Sequence, residues 1–237
     1  MKILAVDTSS KNCSVAIVEI DENKKMNILI QMENDDEKTH SQKLMPIIDN
    51  VLKQSNLRLD DISLLACCLG PGSFTGIRIG IATIKAFADA KNIPTVGVSS
   101  LESIAYNVEE DGIIIPIIDC KNDNVYSAEF ERYNNTYSQI GENIAESISE
   151  TLDILLKNTK PNLKITFIGD GSILHKDLII NKFENCNISF SDRNKQTSIS
   201  LAKSAYDKYE KGLYGDSNYI SPLYLRKSQA ERQLENK

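Results

Sequence analysis

The residues most able to do chemistry lie in two clusters. One is the string Leu69-Gly70-Pro71-Gly72-Ser73-Phe74-Thr75-Gly76-Ile77-Arg78-Ile79-Gly80, with glycines at 70, 72, 76 and 80 and hydroxyls at Ser73 and Thr75. The other is Asp7-Thr8-Ser9-Ser10, a carboxylate followed by three hydroxyls. A glycine turn that feeds a helix presents free backbone N–H groups and a positive dipole end, which suits an anion. The same glycines suit the close approach of another backbone, and residue type does not choose between the two. No Gly-Lys-Ser/Thr follows, so the string is not a Walker loop, and it lacks the dinucleotide spacing. Asp7 and its hydroxyls can close a hairpin through side-chain-to-backbone bonds, and no second carboxylate is placed to complete a metal site with Asp7. His40 and His175 are the two histidines and stand far apart in sequence; His40, near a helix start, reads as structural. The five cysteines are odd in number, contain no Cys-x-x-Cys, and sit mostly in apolar runs. They read as buried free thiols of a reducing compartment.

The elements that must position these clusters follow from pattern. Ile62–Leu69 is a nearly continuous apolar run of strand length, as expected of a strand covered on both faces. Gly70-Pro71-Gly72 makes the turn, and Ser73 or Thr75 caps a helix that runs to about Lys91 and stops before Pro94. The polar residues of that helix leave mainly one narrow stripe, while Gly72, Gly76 and Gly80 recur every fourth residue and Ala82, Ala86 and Ala90 do the same on another face. A helix apolar almost all round needs more cover than one sheet face gives, and small residues at this period admit a second helix. Upstream, Lys2–Asp7, Cys13–Ile20 and Asn27–Met32 read as strands. His40–Ser55 reads as a helix with Leu44, Ile47, Ile48, Val51 and Leu52 on one face, starting near Met45 or kinked there because of Pro46. Residues 34–39 read as a loop. Thr95–Val98 is a strand, and Ser99 with Glu102 is spaced as a capping box. The second half restarts: strands at Gly112–Asp119 and Val125–Tyr133, a helix over Ala145–Lys157, a strand at Lys164–Ile168, the turn Gly169-Asp170-Gly171-Ser172, a helix carrying Leu174, Leu178 and Ile179, a short strand at Asn187–Phe190 and a helix over Ser198–Lys211. No repeat is visible at the level of residues.

The chain has 237 residues, enough for one large domain or two small ones. Its 41% hydrophobic and 25% charged content is ordinary for a soluble protein. A net charge of −6 and a pI of about 5.1 argue against autonomous binding to nucleic acid or an acidic membrane. No secretory or membrane-spanning run is seen, so a cytoplasmic location is expected.

The glycine string, together with Met1–Ser10, His40-Ser41-Gln42-Lys43-Leu44-Met45-Pro46 and Pro222-Leu223-Tyr224-Leu225-Arg226, resembles the TsaB (YeaZ) family, subunits of the bacterial machinery that makes threonylcarbamoyladenosine in tRNA. The resemblance spans the chain and is densest over the first 105 residues or so. It implies an α/β, actin-like fold (the ASKHA class, built on ribonuclease-H-like units) with two subdomains. The first would comprise 1–105 plus a helix returning near 197–215, and the second 106–196, with 216–237 as a tail that is mobile beyond Ser228. In relatives of that fold the first hairpin handles phosphate or its metal, which makes Asp7, Thr8, Ser9 and Ser10 candidate phosphate contacts. A second glycine turn there can lie against adenosine; Gly169–Ser172 reads instead as the end of a strand. Asp119 resembles the aspartate that opens the second subdomain, with no catalytic constellation around it.

The catalytic paralogue, the TsaD family, carries Asn-His-x-x-x-His after the strand that corresponds to Thr95–Val98. Ser100 and Ile104 occupy those places, and neither can replace an imidazole as a metal ligand. The resemblance therefore implies a non-catalytic partner subunit with no catalytic residue, metal or cofactor of its own. It would join a TsaD-like catalytic paralogue and a TsaE-like ATPase in transferring threonylcarbamoyl to adenosine 37 of tRNA. ATP is used by the assembled complex, and tRNA is reached only through it. The partner or dimer surface is expected on the two helices: Leu44, Ile48 and Val51 from the first, and Gly72, Ser73, Phe74, Thr75, Gly76, Arg78, Ile79, Gly80 and Thr83 from the second. On that reading a leucine at Gly80 weakens association and leaves melting unchanged. Two other readings stand beside it. One is an autonomous actin-fold enzyme, a kinase or a peptidase, and the other a self-standing homodimer.

Overall fold

The computed structural model describes residues 1–34, 39–158 and 163–226. Part of the 34–39 loop, the end of the helix-terminating stretch after Asn158, and the tail beyond Ser228 lie outside them. The chain forms two compact units, Met1–Ser103 with Gln196–Leu223, and Ile104–Lys195 with the segment from Tyr224.

The first unit is a five-stranded sheet in the order β3-β2-β1-β4-β5. Its strands are β1 (Lys2–Asp7), β2 (Cys13–Ile20), β3 (Met26–Asn34), β4 (Leu64–Gly70) and β5 (Thr95–Ser99). β1 runs antiparallel to β2 and parallel to β4, and β4 runs parallel to β5. Alternation along each strand sends side chains to opposite faces. Leu4, Val6, Val15, Ile17, Leu65 and Cys67 pack under α1 (His40–Gln54) and α2 (Phe74–Lys91). Ile3, Ala5, Val18, Leu64, Ala66, Val96 and Val98 pack under α7 (Ser198–Glu210), which contributes Leu201, Ala202 and Ala205. With both faces covered, β4 has no solvent side, which is why it reads as an unbroken apolar run. α7 is further held by a polar tie. The Glu102 carboxylate accepts from Ser204 Oγ at 2.7 Å and pairs with Lys208 Nζ at 2.7 Å.

α1 begins at His40, upstream of Pro46 rather than near Met45. Thr39 starts it, with the Gln42 side chain accepting from the Thr39 N–H at 3.3 Å, and Pro46 sits on the exposed side. α3 (Ser100–Ala105) starts where expected, its Glu102 N–H donating to Ser99 Oγ at 3.0 Å.

The second unit repeats the topology. Its sheet has the order β10-β9-β6-β7-β8, with β6 antiparallel to β7 and parallel to β9. The elements are β6 (Gly112–Asp119), β7 (Asn124–Tyr133), β8 (Thr136–Ser147), α4 (Ile148–Asn158), β9 (Ile165–Ile168), α5 (Asp170–Leu174), α6 (Lys176–Lys182) and β10 (Ile188–Phe190). Strand for strand this is the first sheet again, so the chain is a duplicated ribonuclease-H-like unit, the actin-like α/β fold. Ile113, Ile115, Ile117, Phe167, Leu152, Ile179 and Phe183 form its main core.

Three expectations fail here. β8 is a full strand where none is expected, and the helix starts at Ile148 rather than Ala145. β8 is largely exposed and polar, so it shows no apolar alternation; its signal is Asn134-Asn135, both at positive φ (49° and 63°), which closes a two-residue hairpin. The helix expected through Leu174 and Leu178 breaks at His175 into α5 and α6; Leu174 and Leu178 are exposed, and Ile179 alone of the three is buried.

Candidate functional site

β1 and β4 are neighbours, so their C-terminal ends bring Asp7 and Gly70 to the same edge of the first sheet. The hairpin after Asp7 then meets the glycine turn after Gly70. Ser73 N–H donates to Ser9 O at 2.7 Å, and Thr8 Oγ1 donates to Gly76 O at 2.8 Å. Ser73 is the N-cap of α2, its Oγ accepting from Gly76 N–H at 3.2 Å, while Ile77 N–H bonds Ser73 O at 2.9 Å. From the other side, the buried Ser100 hydroxyl donates to Pro71 O, and Leu223 N–H donates to Leu69 O at 2.8 Å. Gly70 stands at φ 100°, a region where a side chain is strained.

The glycine period is explained by this hairpin. A Cβ on Gly72 would stand 2.2 Å from Ser9 O, one on Gly76 2.0 Å from Thr8 O, and one on Gly80 2.4 Å from Thr8 Oγ1. Of the two readings open from sequence, close backbone approach is the one realised. The expected placement of Gly72, Gly76 and Gly80 at a partner surface is therefore corrected, because the chain's own hairpin fills the space beside them. So is the expectation that a leucine at Gly80 leaves melting unchanged. Leu44, Ile48 and Val51 are also corrected; they are 1%, 1% and 0% exposed and face their own sheet. Their regular spacing marks the inner face of α1.

The stripe that α2 turns outward is a different one. Thr75, Arg78, Ala82, Ala86, Asp89 and Ala90 are exposed, with Phe74, Ile79 and Thr83 half-buried at its margin and Thr83 Oγ1 donating to Ile79 O at 2.9 Å. Phe74, Thr75, Arg78, Ile79 and Thr83 thus remain available from the expected set. Ala82 and Ala86 are absent from that set, although their four-residue period is visible in the sequence. α1 adds Met45, 49% exposed.

Asp7 is 1% exposed. Its Oδ1 accepts from Ser9 N–H at 2.8 Å and Ser9 Oγ at 2.7 Å, and its Oδ2 has no hydrogen-bond partner among the described residues. Burial pushes its carboxyl up, against the opposing pull of the Ser9 hydrogen bonds. Ser10 Oγ accepts from Asn12 N–H at 3.2 Å. The hydroxyls of Thr8, Ser9 and Ser10 are thus engaged within the hairpin and with Gly76. Burial also pushes the thiols of Cys13 and Cys67 up, to about 11 and about 12, and all five cysteines are unbridged. Ser100 and Ile104 are both fully buried. No group of three or more His, Cys, Asp and Glu side chains among the described residues is placed to hold a metal ion.

The second glycine turn is wired in the same manner. Gly169 has φ 103°, and Asp170 Oδ1 accepts from the N–H groups of Asp119 at 3.0 Å and Gly171 at 2.9 Å. It ends β9 and ties it to the end of β6. No described helix is long and apolar enough to cross a membrane.

Known proteins share this arrangement. A family model described as TsaD, tRNA N6-adenosine threonylcarbamoyltransferase, matches residues 31–234. The tRNA threonylcarbamoyladenosine biosynthesis protein TsaB of Bacillus subtilis is 29% identical over 98% of this chain and 96% of its own length. TsaB of Buchnera aphidicola subsp. Schizaphis graminum is 33% identical over 71% of this chain and 78% of its own. The solved structure of YeaZ from Pseudomonas aeruginosa superposes with a TM-score of 0.74 at 20% identity, covering 94% of this chain and 99% of that one. The chain, with its hairpin-filled glycine helix and duplicated sheet, belongs to the TsaB (YeaZ) family of tRNA threonylcarbamoyladenosine biosynthesis proteins.

Proposed function

We propose that the chain is a non-catalytic subunit that binds a metal-bearing TsaD-like paralogue and supports its transfer of threonylcarbamoyl to the tRNA adenosine. The observation that carries this reading is the fate of Ser100 and Ile104, the positions that by resemblance match the metal histidines of the TsaD family. Both are fully buried, and the Ser100 hydroxyl is bound to Pro71 O. A serine and an isoleucine committed to the interior supply no imidazole to a metal. The Asp7 hairpin serves on this reading as scaffold, holding the glycine turn rather than phosphate. The outward stripe of α2 supplies the contact: small side chains at 82 and 86 let a partner helix approach, and Arg78 and Asp89 flank them. ATP, a TsaE-like ATPase and tRNA come to the chain through that assembly, in the cytoplasm.

New charge at a contact should separate association from folding. Ala82→Arg and Ala86→Arg lie on exposed helix positions and should leave melting nearly unchanged. Co-purification with the TsaD-like paralogue and the threonylcarbamoyladenosine content of tRNA should both fall by about tenfold or more, as loss of a central contact predicts. Intact co-purification in the double variant would move the contact elsewhere. Modification of tRNA by the isolated chain would end the non-catalytic reading. The homodimer alternative is answered by the same stripe, since the variants also report on self-association.

A further inference from the structure

The second unit contains a groove that its topology does not require. In the β7–β8 pair Ser127 faces Ile144 and Glu129 faces Ile140, so Gly141, Glu142 and Asn143 together stand opposite Ala128 alone. This bulge of two extra residues opens a cavity of about 310 Å³ beside α4, at the small end of the range for ligand sites. Bulges of this kind recur where a strand is re-aimed at a site. At the corresponding bulge of the first sheet stand Ile17 and Val18, both fully buried. Here the position is taken by Glu129, which lines the cavity and is 5% exposed; among the described residues no hydrogen bond or ion pair to its carboxylate is seen. A carboxylate mostly withdrawn from water in this way gains from a charge that pairs with it. Burial, with Glu131 nearby, pushes its carboxyl up.

The surroundings define what would pair with it. The walls are apolar: Ile140 and Ile154, 38% and 37% exposed, with Ile144 and Leu155. The mouth carries Glu142 and Glu146, both exposed. α4 ends at the groove with Leu155 and Asn158, and the C-terminal end of a helix favours positive charge. Among the described residues no lysine or arginine lines it. The carboxylates are also too dispersed for a metal ion, since no cluster among the described residues could hold one. A cation that satisfies a buried acid, an apolar middle and an acidic rim must be extended, with charge at its ends and methylenes between.

We propose that this groove binds an aliphatic diamine or polyamine, with one ammonium on Glu129, the alkyl chain along Ile140 and Ile154, and the second ammonium at Glu142 and Glu146. The probe is 1,4-diaminobutane, titrated calorimetrically into the full chain at neutral pH and about 0.15 M salt, where exposed charges are screened beyond roughly 8 Å. Saturable one-to-one binding is expected, weakened about tenfold or more by Glu129→Gln, with magnesium chloride at equal ionic strength giving no competing response. Equal binding by Glu129→Gln, or equal displacement by magnesium, would reduce the effect to the acidic surface and overturn the site. The carbon-13 carboxyl signal of Glu129 in the unaltered chain gives a second reading that needs no variant. It should shift with the titration, and a stationary signal also overturns the proposal. A parallel titration with Nα-acetyl-lysine amide tests the other source of an ammonium; tighter binding than diaminobutane would assign the groove to a partner's lysine instead.

Discussion

The two units use one topology for different ends. In each, the first strand ends in an aspartate whose Oδ1 accepts from the N–H two residues on, Asp7 from Ser9 at 2.8 Å and Asp119 from Lys121 at 3.0 Å. In each, the fourth strand leads into a glycine at nearly the same φ, 100° at Gly70 and 103° at Gly169. The helices beyond those glycines differ. In the first unit the helix runs for 18 residues and presses its glycine side against Thr8. In the second it stops after 5, breaks at His175, and resumes as α6 with Leu174 and Leu178 exposed. The corner is thus a demand of the topology, and the length and small-residue period of α2 are an addition to it. Only the addition makes a long outward stripe.

The two corners differ most in how tightly their glycines are packed. Gly76→Ala drives a Cβ to 2.0 Å from a backbone oxygen, which cannot swing away, while Gly171→Ala meets the Ile117 Cγ2 at 2.8 Å and the Asp119 nitrogen at 3.0 Å. Overpacking costs about 1–3 kcal/mol, and in a chain of this size each kcal/mol lowers Tm by about 2–4 °C. Gly76→Ala should lie at or beyond the top of that range and Gly171→Ala near the bottom, in thermal melts of the isolated chain. Equal losses would mean that the two corners are equally close-packed and that α2 is nothing special.

A smaller effect separates the two aspartates through pH. Burial holds the Asp7 carboxyl above its ordinary 3.8, so the folded chain keeps that proton where the unfolded chain has released it. Stability contributed by this group therefore falls as pH rises from the ordinary value through the raised one, and the loss is constant above. Asn at position 7 can still accept from Ser9 and carries no charge. Asp7→Asn should gain on the unaltered chain as pH is raised from about 4 to neutrality, and tRNA modification should persist. A variant that melts lower at neutral pH, or that abolishes modification with its fold intact, would restore Asp7 as a ligand for phosphate or metal.

How much of the fold and the site is legible in the sequence depends on whether a residue type has one physical use. β1, β2, β4, β6 and the span of α2 are legible because apolar runs and a Ser cap have few alternative readings. The outward face of α2 is not, because small residues every fourth position serve a partner helix and an internal backbone equally well. Nothing in Gly76 and Gly80 says that Thr8, 68 residues before Gly76 in the chain, lies against them. Leu44, Ile48 and Val51 read as partner contacts only through the family resemblance; their period by itself describes a core face. β8 is hidden for the opposite reason: an exposed edge strand has no burial pattern to read, and its turn is the only mark.

The smallest effect tests whether the charge at the β7–β8 bulge is an addition of the same sort. Glu129→Val places at that position the residue type that the first sheet uses at Val18. The β-branched side chain suits a strand, and it replaces a buried carboxyl that has no described partner. Because burial raises the Glu129 carboxyl above its ordinary 4.5, ionisation disfavours the folded chain, and stability falls as pH rises from that value through the raised one. Glu129→Val lacks that fall. At neutral pH, with no amine present, it should melt higher by about 2–4 °C, the equivalent of about 1 kcal/mol; near pH 4, where Glu129 is largely protonated in both states, the difference should shrink. Added 1,4-diaminobutane should narrow the gap again by stabilising only the unaltered chain. If the valine variant melts lower at neutral pH in amine-free buffer, the carboxylate is already paired within the chain, and the bulge is structural in both units alike.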